Sequence, residues 1–240
     1  MIYLSTINIL MPNYSSAYPA NTVTNWLGLD SEASYHKKLM TRYQDLEAHG
    51  WIDAAFTYKF NSLGFRCADF NLDPAIMFLG CSFTVGVGLP LATIWPEIVA
   101  KSMNLRCVNL GQGGGAPDTA FRLASGYIGR VNPKIVVYMQ PPDYRFELVS
   151  DHGVKHYNVF VKSDSDNQIF KAWAIDGNNN QLNREKNSLA IQMLCNHRRI
   201  KFMQFDSTEL RGLSTSLARD LAHPGVENHK KMADIITAQL

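Results

Sequence analysis

The sequence predicts an α/β domain in which a parallel sheet of about five strands is covered by helices on both faces. Three observations lead there. Four short apolar runs, Ile76 to Leu79 (IMFL), Arg106 to Leu110 (RCVNL), Lys134 to Met139 (KIVVYM) and Ile200 to Phe205 (IKFMQF), are too short for helices and read as strands. Stretches with helix-start signals lie between them. Strand and helix alternate, and parallel neighbours need such crossovers, so the expected architecture is a flavodoxin-like three-layer α/β/α sandwich.

Taken in order, residues 1 to 30 are rich in Asn, Ser, Thr and Pro and lack a clear period. Asp30 or Ser31 then caps a helix running through SEASYHKKLMTRYQDLEAHG to a stop at Gly50. Residues 1–56 are therefore expected to form an N-terminal extension, with a helix packed on a domain spanning 57–240. AAFTYKFNSLGFR reads as a strand and turn leading into that domain. Helices are expected at Pro96 to Met103, Asp118 to Tyr127 and Asn183 to His197, and a last one after Pro224-Gly225. The fifth strand is short, weakly signalled and expected before Asp220. Residues 150 to 180 break the rhythm: two β-leaning segments flank SDSDN and end at the turn-forming DGNNN, as an inserted hairpin or lid would.

Composition bounds the function. With 46% hydrophobic and 18% charged residues the chain is neither disordered nor fibrous. A net charge of +2 argues against an electrostatically driven nucleic-acid binder, and the short cluster His197-Arg198-Arg199 reads as a helix C-terminus. Cys67, Cys81, Cys107 and Cys195 are widely spaced with no CxxC pair, so neither a zinc knuckle nor a disulfide framework is indicated. No charged leader or apolar stretch of membrane length is present, which predicts a cytoplasmic protein without a secretory signal, phage association or export by another route staying open.

Three stretches carry chemistry. In FLGCSFTVGVG the strand ends at Gly80, and Ser82 falls at the carboxyl edge of the sheet, where ligands bind in open α/β folds. Thr84 occupies the last position of a GxSxG elbow, so that motif is not matched. This stretch alone fits either a nucleophile or a turn residue. RDLAHPG places Asp220 three residues before His223, near enough for a carboxylate to hold an imidazole, or for an aspartate to cap a turn beside a solvated histidine. In CVNLGQGGGAPDTAFRL the glycines at 113 to 115 offer backbone N–H groups to an anion. No Lys-Ser or Lys-Thr follows them, and no acidic ribose partner ends the next strand, so P-loop and dinucleotide readings fail.

In this order the blocks GCSFTVGVG, NLGQGGG and DLAHPG resemble the SGNH/GDSL hydrolase family, and NSLGFR at 61 to 66 is similar to a lead-in seen in some bacterial and phage-associated members. The resemblance covers roughly residues 57 to 240 apart from the insertion. It implies the SGNH hydrolase fold, a catalytic serine at Ser82, a base at His223 and an orienting carboxylate at Asp220. It also implies oxyanion contacts from the N–H groups of Ser82 and Gly114. Two departures stand out. Cys81 replaces the aspartate of the GDS form, and YMQPPDYR has Pro142 where the family carries an asparagine, so Gln140 becomes the candidate for the missing donor. Tyr144 and Arg145 in the same loop are candidates for substrate binding.

The function these residues imply is serine-dependent hydrolysis of carboxylic esters, with an O-acetyl group on a carbohydrate as the preferred substrate and with no cofactor or metal. The expected partner is a small-molecule or glycan ester, with no nucleic acid and no membrane. Two alternatives stay open at the level of sequence: an O-acyltransferase using the same three side chains, and an impaired module that keeps the fold and only binds.

Overall fold

The computed structural model describes residues 14, 16–150, 153–158, 176–212 and 216–240. Its centre is a four-stranded parallel sheet built from β3 (Ala75–Leu79), β4 (Arg106–Asn109), β5 (Ile135–Gln140) and β8 (Lys201–Asp206), in the order β4-β3-β5-β8. The registers are Ile76 with Cys107 and Ile135, and Val136 with Phe202. Every residue of β3 is buried, which is why a central strand reads as a continuous apolar run rather than an alternating one.

Side chains alternate between two helix layers. Met77, Leu79, Val108, Val136 and Tyr138 face α5 (Pro117–Val131) and α6 (Gly177–His197), meeting Leu123, Tyr127 and Ile191. Ile76, Phe78, Ile135, Val137 and Met139 face α4 (Trp95–Ser102) and α8 (Val226–Gln239), meeting Trp95, Val99, Met232 and Ile236. Burying one side chain of this size contributes about 1.5–3 kcal/mol, so these two clusters dominate the stability of the sheet. The sandwich is the expected one, and it leaves the carboxyl ends of the four strands on one side.

Five sequence expectations need correction. The first helix is two: α1 (Glu32–Thr41) ends where Arg42 leaves helical geometry at φ −144°, and α2 (Tyr43–Ala48) follows. The break turns Leu46 into a cluster with Trp51, Leu89 and Ala218, whereas α1 buries no residue. The lead-in contributes only a two-residue strand, β2 (Tyr58–Lys59), antiparallel to β1 (Val23–Thr24). Helix α6 starts at Gly177, inside the stretch expected to be a turn, because Asp176 caps it through the Asn178 N–H at 2.9 Å.

Among the described residues the sheet has four strands rather than about five. Where the fifth was expected, Leu217 and Pro224 form an isolated antiparallel bridge. The Ala218 N–H is spent on His223 C=O and the Arg219 N–H on Gly88 C=O, which leaves neither for a ladder with β8.

The insertion begins earlier than expected. Strands β6 (Arg145–Ser150) and β7 (Gly153–Asn158) form an antiparallel hairpin directly after β5, and the second β-leaning segment, at 168–175, lies outside the described residues. Arg122 of α5 pairs with Glu147 of β6 through Nε at 2.6 Å and Nη2 at 3.0 Å, and His156 of β7 meets the same carboxylate at 3.2 Å. All four cysteines are buried free thiols. No helix among the described residues is long and apolar enough to cross a membrane.

Candidate active site

Strand β3 runs into Gly80, and the four-residue helix α3 (Ser82–Val85) starts two residues later. Gly80 is obligatory: a Cβ there would stand 2.2 Å from Thr84 Oγ1 and 3.0 Å from the Met139 C=O, so any side chain would push α3 off the sheet. Arg66, from the GFR lead-in, locks the far end of the turn. Its Nη1 donates to the Val85 and Gly86 carbonyls at 3.0 and 2.7 Å and its Nη2 to Leu89 at 2.7 Å, while its guanidinium lies 4.4 Å from the Tyr58 ring centroid. Burial pulls that guanidinium down to about 10, still charged at neutral pH.

The loop before α8 faces this turn. Asp220 Oδ1 accepts the N–H groups of Ala222 (3.1 Å) and His223 (3.0 Å), while Oδ2 is hydrogen-bonded to His223 Nδ1. Burial pushes the Asp220 carboxyl up, but the hydrogen bonds and charge of His223 outweigh it and hold the group below the usual carboxylate range. An ionised carboxylate only accepts, so Nδ1 carries a proton, and in the neutral ring Nε2 presents a lone pair. That lone pair meets Ser82 Oγ at 2.9 Å. The Phe83 ring stands edge-on to the imidazole with centroids 5.5 Å apart. Between the carboxylate and the histidine, Leu221 is held at φ +49°, a conformation a leucine rarely adopts, and its burial beside Trp51 and Leu89 holds it there.

The glycine run completes the rim. Asn109, at the end of β4, donates Nδ2 to the Thr84 C=O at 2.7 Å and accepts the Gly111 N–H at 3.0 Å, which fixes the run against α3. The Gly113 N–H is held by the Tyr18 hydroxyl at 2.7 Å and the Gly115 N–H by Gln112 C=O at 3.0 Å. Gly114 sits at φ +70°, beside His156 of β7. Its N–H and that of Ser82 have no acceptor among the described residues.

The structure therefore brings Ser82, His223 and Asp220 together. Gln140 is engaged by a different partner: Nε2 donates to Ser188 of α6 at 2.7 Å. Pro142, Tyr144 and Arg145 line a cavity of about 180 Å³ whose wall includes Cys81 and Phe83, the residues on either side of Ser82. Sequence reasoning missed the roles of Tyr18, Arg66 and Asn109. Arg66 was visible as part of a motif, and Tyr18 had no local signal because its partner is 95 residues away.

No family profile and no curated protein matches the sequence. Solved structures do align with it, and they include a lipolytic protein of the G-D-S-L family, a carbohydrate esterase and another esterase. A G-D-S-L family protein from Desulfitobacterium hafniense is 14% identical, over 71% of this chain and 100% of that one, at a TM-score of 0.38. A family two carbohydrate esterase from Clostridium thermocellum, solved with cellohexaose, is 17% identical over 72% and 65% of the two chains at 0.38. A psychrotrophic esterase from a Pseudoalteromonas species is 14% identical over 69% and 96%, also at 0.38.

Proposed function

We propose that this protein hydrolyses carboxylic esters through Ser82, His223 and Asp220, and that its substrate is an O-acetyl group on a carbohydrate. One observation carries the reading: the unbroken hydrogen-bond chain from Ser82 Oγ through the His223 ring to an ionised, buried Asp220. A serine hydroxyl is a weak nucleophile until a base removes its proton, and a base at this distance suits that transfer.

In this scheme His223 Nε2 takes the Ser82 proton as Oγ attacks the ester carbonyl. The oxyanion is met by the Ser82 and Gly114 N–H groups, and the second amide hydrogen of Gln140 is the candidate third donor. Protonated Nε2 then gives its proton to the leaving alkoxide, and the alcohol departs. Water, deprotonated by the same nitrogen, releases acetate and restores Ser82. Asp220 keeps its charge throughout and stabilises the imidazolium as it forms. The carbohydrate part of the reading rests on the resemblance of the serine block and its GFR lead-in to those of carbohydrate-modifying members.

The test is turnover of p-nitrophenyl acetate and a panel of acetylated glycans by wild type and Ser82→Ala. Activity that survives the substitution overturns the mechanism. A second reading, binding without turnover, is favoured by the engagement of Gln140 with Ser188. Failure of a serine-directed phosphonate to label Ser82 in folded protein would select it.

A further inference from the structure

The cavity whose wall includes Cys81 and Phe83 is also lined by Arg145. Arg145 opens β6, and its Nη1 is buried without a hydrogen-bond partner among the described residues. Nor does Arg145 join any ion pair among the described residues. The second arginine in the same wall, Arg184, is already neutralised by Asp206 at 2.7 Å, and Asp143, also in the wall, is not paired with Arg145. Nη1 has no accessible surface, so a ligand in the cavity would meet the guanidinium through Nε and Nη2. The cavity, about 180 Å³, is walled by Cys81 and Phe83, the residues on either side of Ser82, and the Phe83 ring stands edge-on to His223. It is large enough for a carboxylate and a few carbons, and too small for a sugar chain.

We propose that Arg145 binds a carboxylate on the substrate, so that the ester cleaved at Ser82 sits on an acidic sugar rather than a neutral one. The guanidinium fork matches a carboxylate's two oxygens, and the acetyl group has no room for a second acid function, so the carboxylate belongs to the alcohol part of the ester. This inference rests on the ester-hydrolysis reading for its turnover arm only.

The test uses a matched pair, acetylated glucuronate and acetylated glucuronamide, which differ in the charge at one carbon. Wild type is expected to favour the acid by about tenfold or more in kcat/KM, the worth of one charge-assisted hydrogen bond. In Arg145→Gln that ratio should fall close to one. Equal turnover of the pair by wild type, or a preference that survives in folded Arg145→Gln, overturns the proposal. Binding of glucuronate against glucuronamide to Ser82→Ala gives a readout that needs no catalysis. If no ester is cleaved but that protein still prefers the acid, the hydrolysis reading falls and the carboxylate site stands. If esters are cleaved and neither arm shows a preference, the reverse holds.

Discussion

At the scale of single residues, the Asp220 carboxylate fixes which ring nitrogen of His223 carries the proton, and in the proposed mechanism that decides whether His223 can act. Asp220→Asn keeps the shape but lets the amide donate to Nδ1, which turns the protonated nitrogen toward Ser82. We expect kcat to fall by about 10³ to 10⁴ while KM and melting temperature change little, as steady-state kinetics beside thermal unfolding would measure. Gln140 offers a finer discrimination. If its free amide hydrogen meets the oxyanion, Gln140→Ala lowers kcat by about a hundredfold at unchanged KM. A change below about threefold assigns the amide to Ser188 alone. The serine, histidine and aspartate were candidates in the sequence because the ordered blocks around them resemble those of the SGNH/GDSL family, each stretch alone fitting a turn as well. The engagement of Gln140 was not, since Ser188 lies 48 residues further on.

At the scale of elements, segments far apart in sequence hold the rim. Arg219 stacks between Trp26 and Phe56, with centroid distances of 4.2 and 3.9 Å, and pairs with Asp30 at 2.7 Å, so the residue before Asp220 is clamped to the N-terminal segment. Tyr18→Phe leaves the Gly113 N–H without an acceptor and should cost about 1–3 kcal/mol by chemical denaturation, with esterase activity reduced as the glycine run loosens. The hairpin β6–β7 hangs on the Arg122–Glu147 pair, both side chains at most 3% exposed. Arg122→Ala strands a buried carboxylate, and we expect a loss of about 3–5 kcal/mol together with earlier proteolytic cleavage in the hairpin. A matching Glu147→Gln in the Arg122→Ala background should recover part of it. Helix α6 shows why such contacts escaped the sequence reading. The buried face of its first half is Asn180, Asn183 and Asn187, and the amides of Asn183 and Asn187 reach Asp118 at 3.1 Å, so no apolar period marks its start.

At the scale of the whole molecule, three buried groups make acid the weak side of the fold. Burial brings His229 down to about 3, and its Nδ1 accepts the Trp95 N–H at 3.0 Å, so it is neutral when folded. For Glu147, the hydrogen bonds of His156 and Arg122 and the charge of Arg122 outweigh burial and bring it down to about 2. Asp220 is lowered as well. In each case the unfolded chain takes up a proton first, so stability is full above the ordinary value and lost as pH falls through the window. His229 acts alone between about pH 6.5 and 4.5, and the carboxylates add below that. The unfolding free energy should therefore decline from about pH 6.5 with a slope approaching about 1.4 kcal/mol per pH unit. His229→Gln, which removes the titration, should flatten the upper part of that curve, as urea melts across pH 4.5 to 7.5 would reveal.

The sequence by itself determined the sandwich and its alternation, because apolar runs of strand length separated by capped helices admit few other arrangements. It also offered Ser82, His223 and Asp220 as candidates, through the resemblance of three ordered blocks to the SGNH/GDSL family. Only the tertiary structure decided that Ser82 and His223, 141 residues apart, stand 2.9 Å from each other. It alone decided that Tyr18, Arg66 and Arg219 brace the loops, and that, among the described residues, the sheet stops at four strands and Arg145 lines a cavity with Cys81 and Phe83 while joining no ion pair. The physical reason is range. Propensity and periodicity act over a few residues, whereas a buried polar group takes its partner from whichever element packing brings within reach.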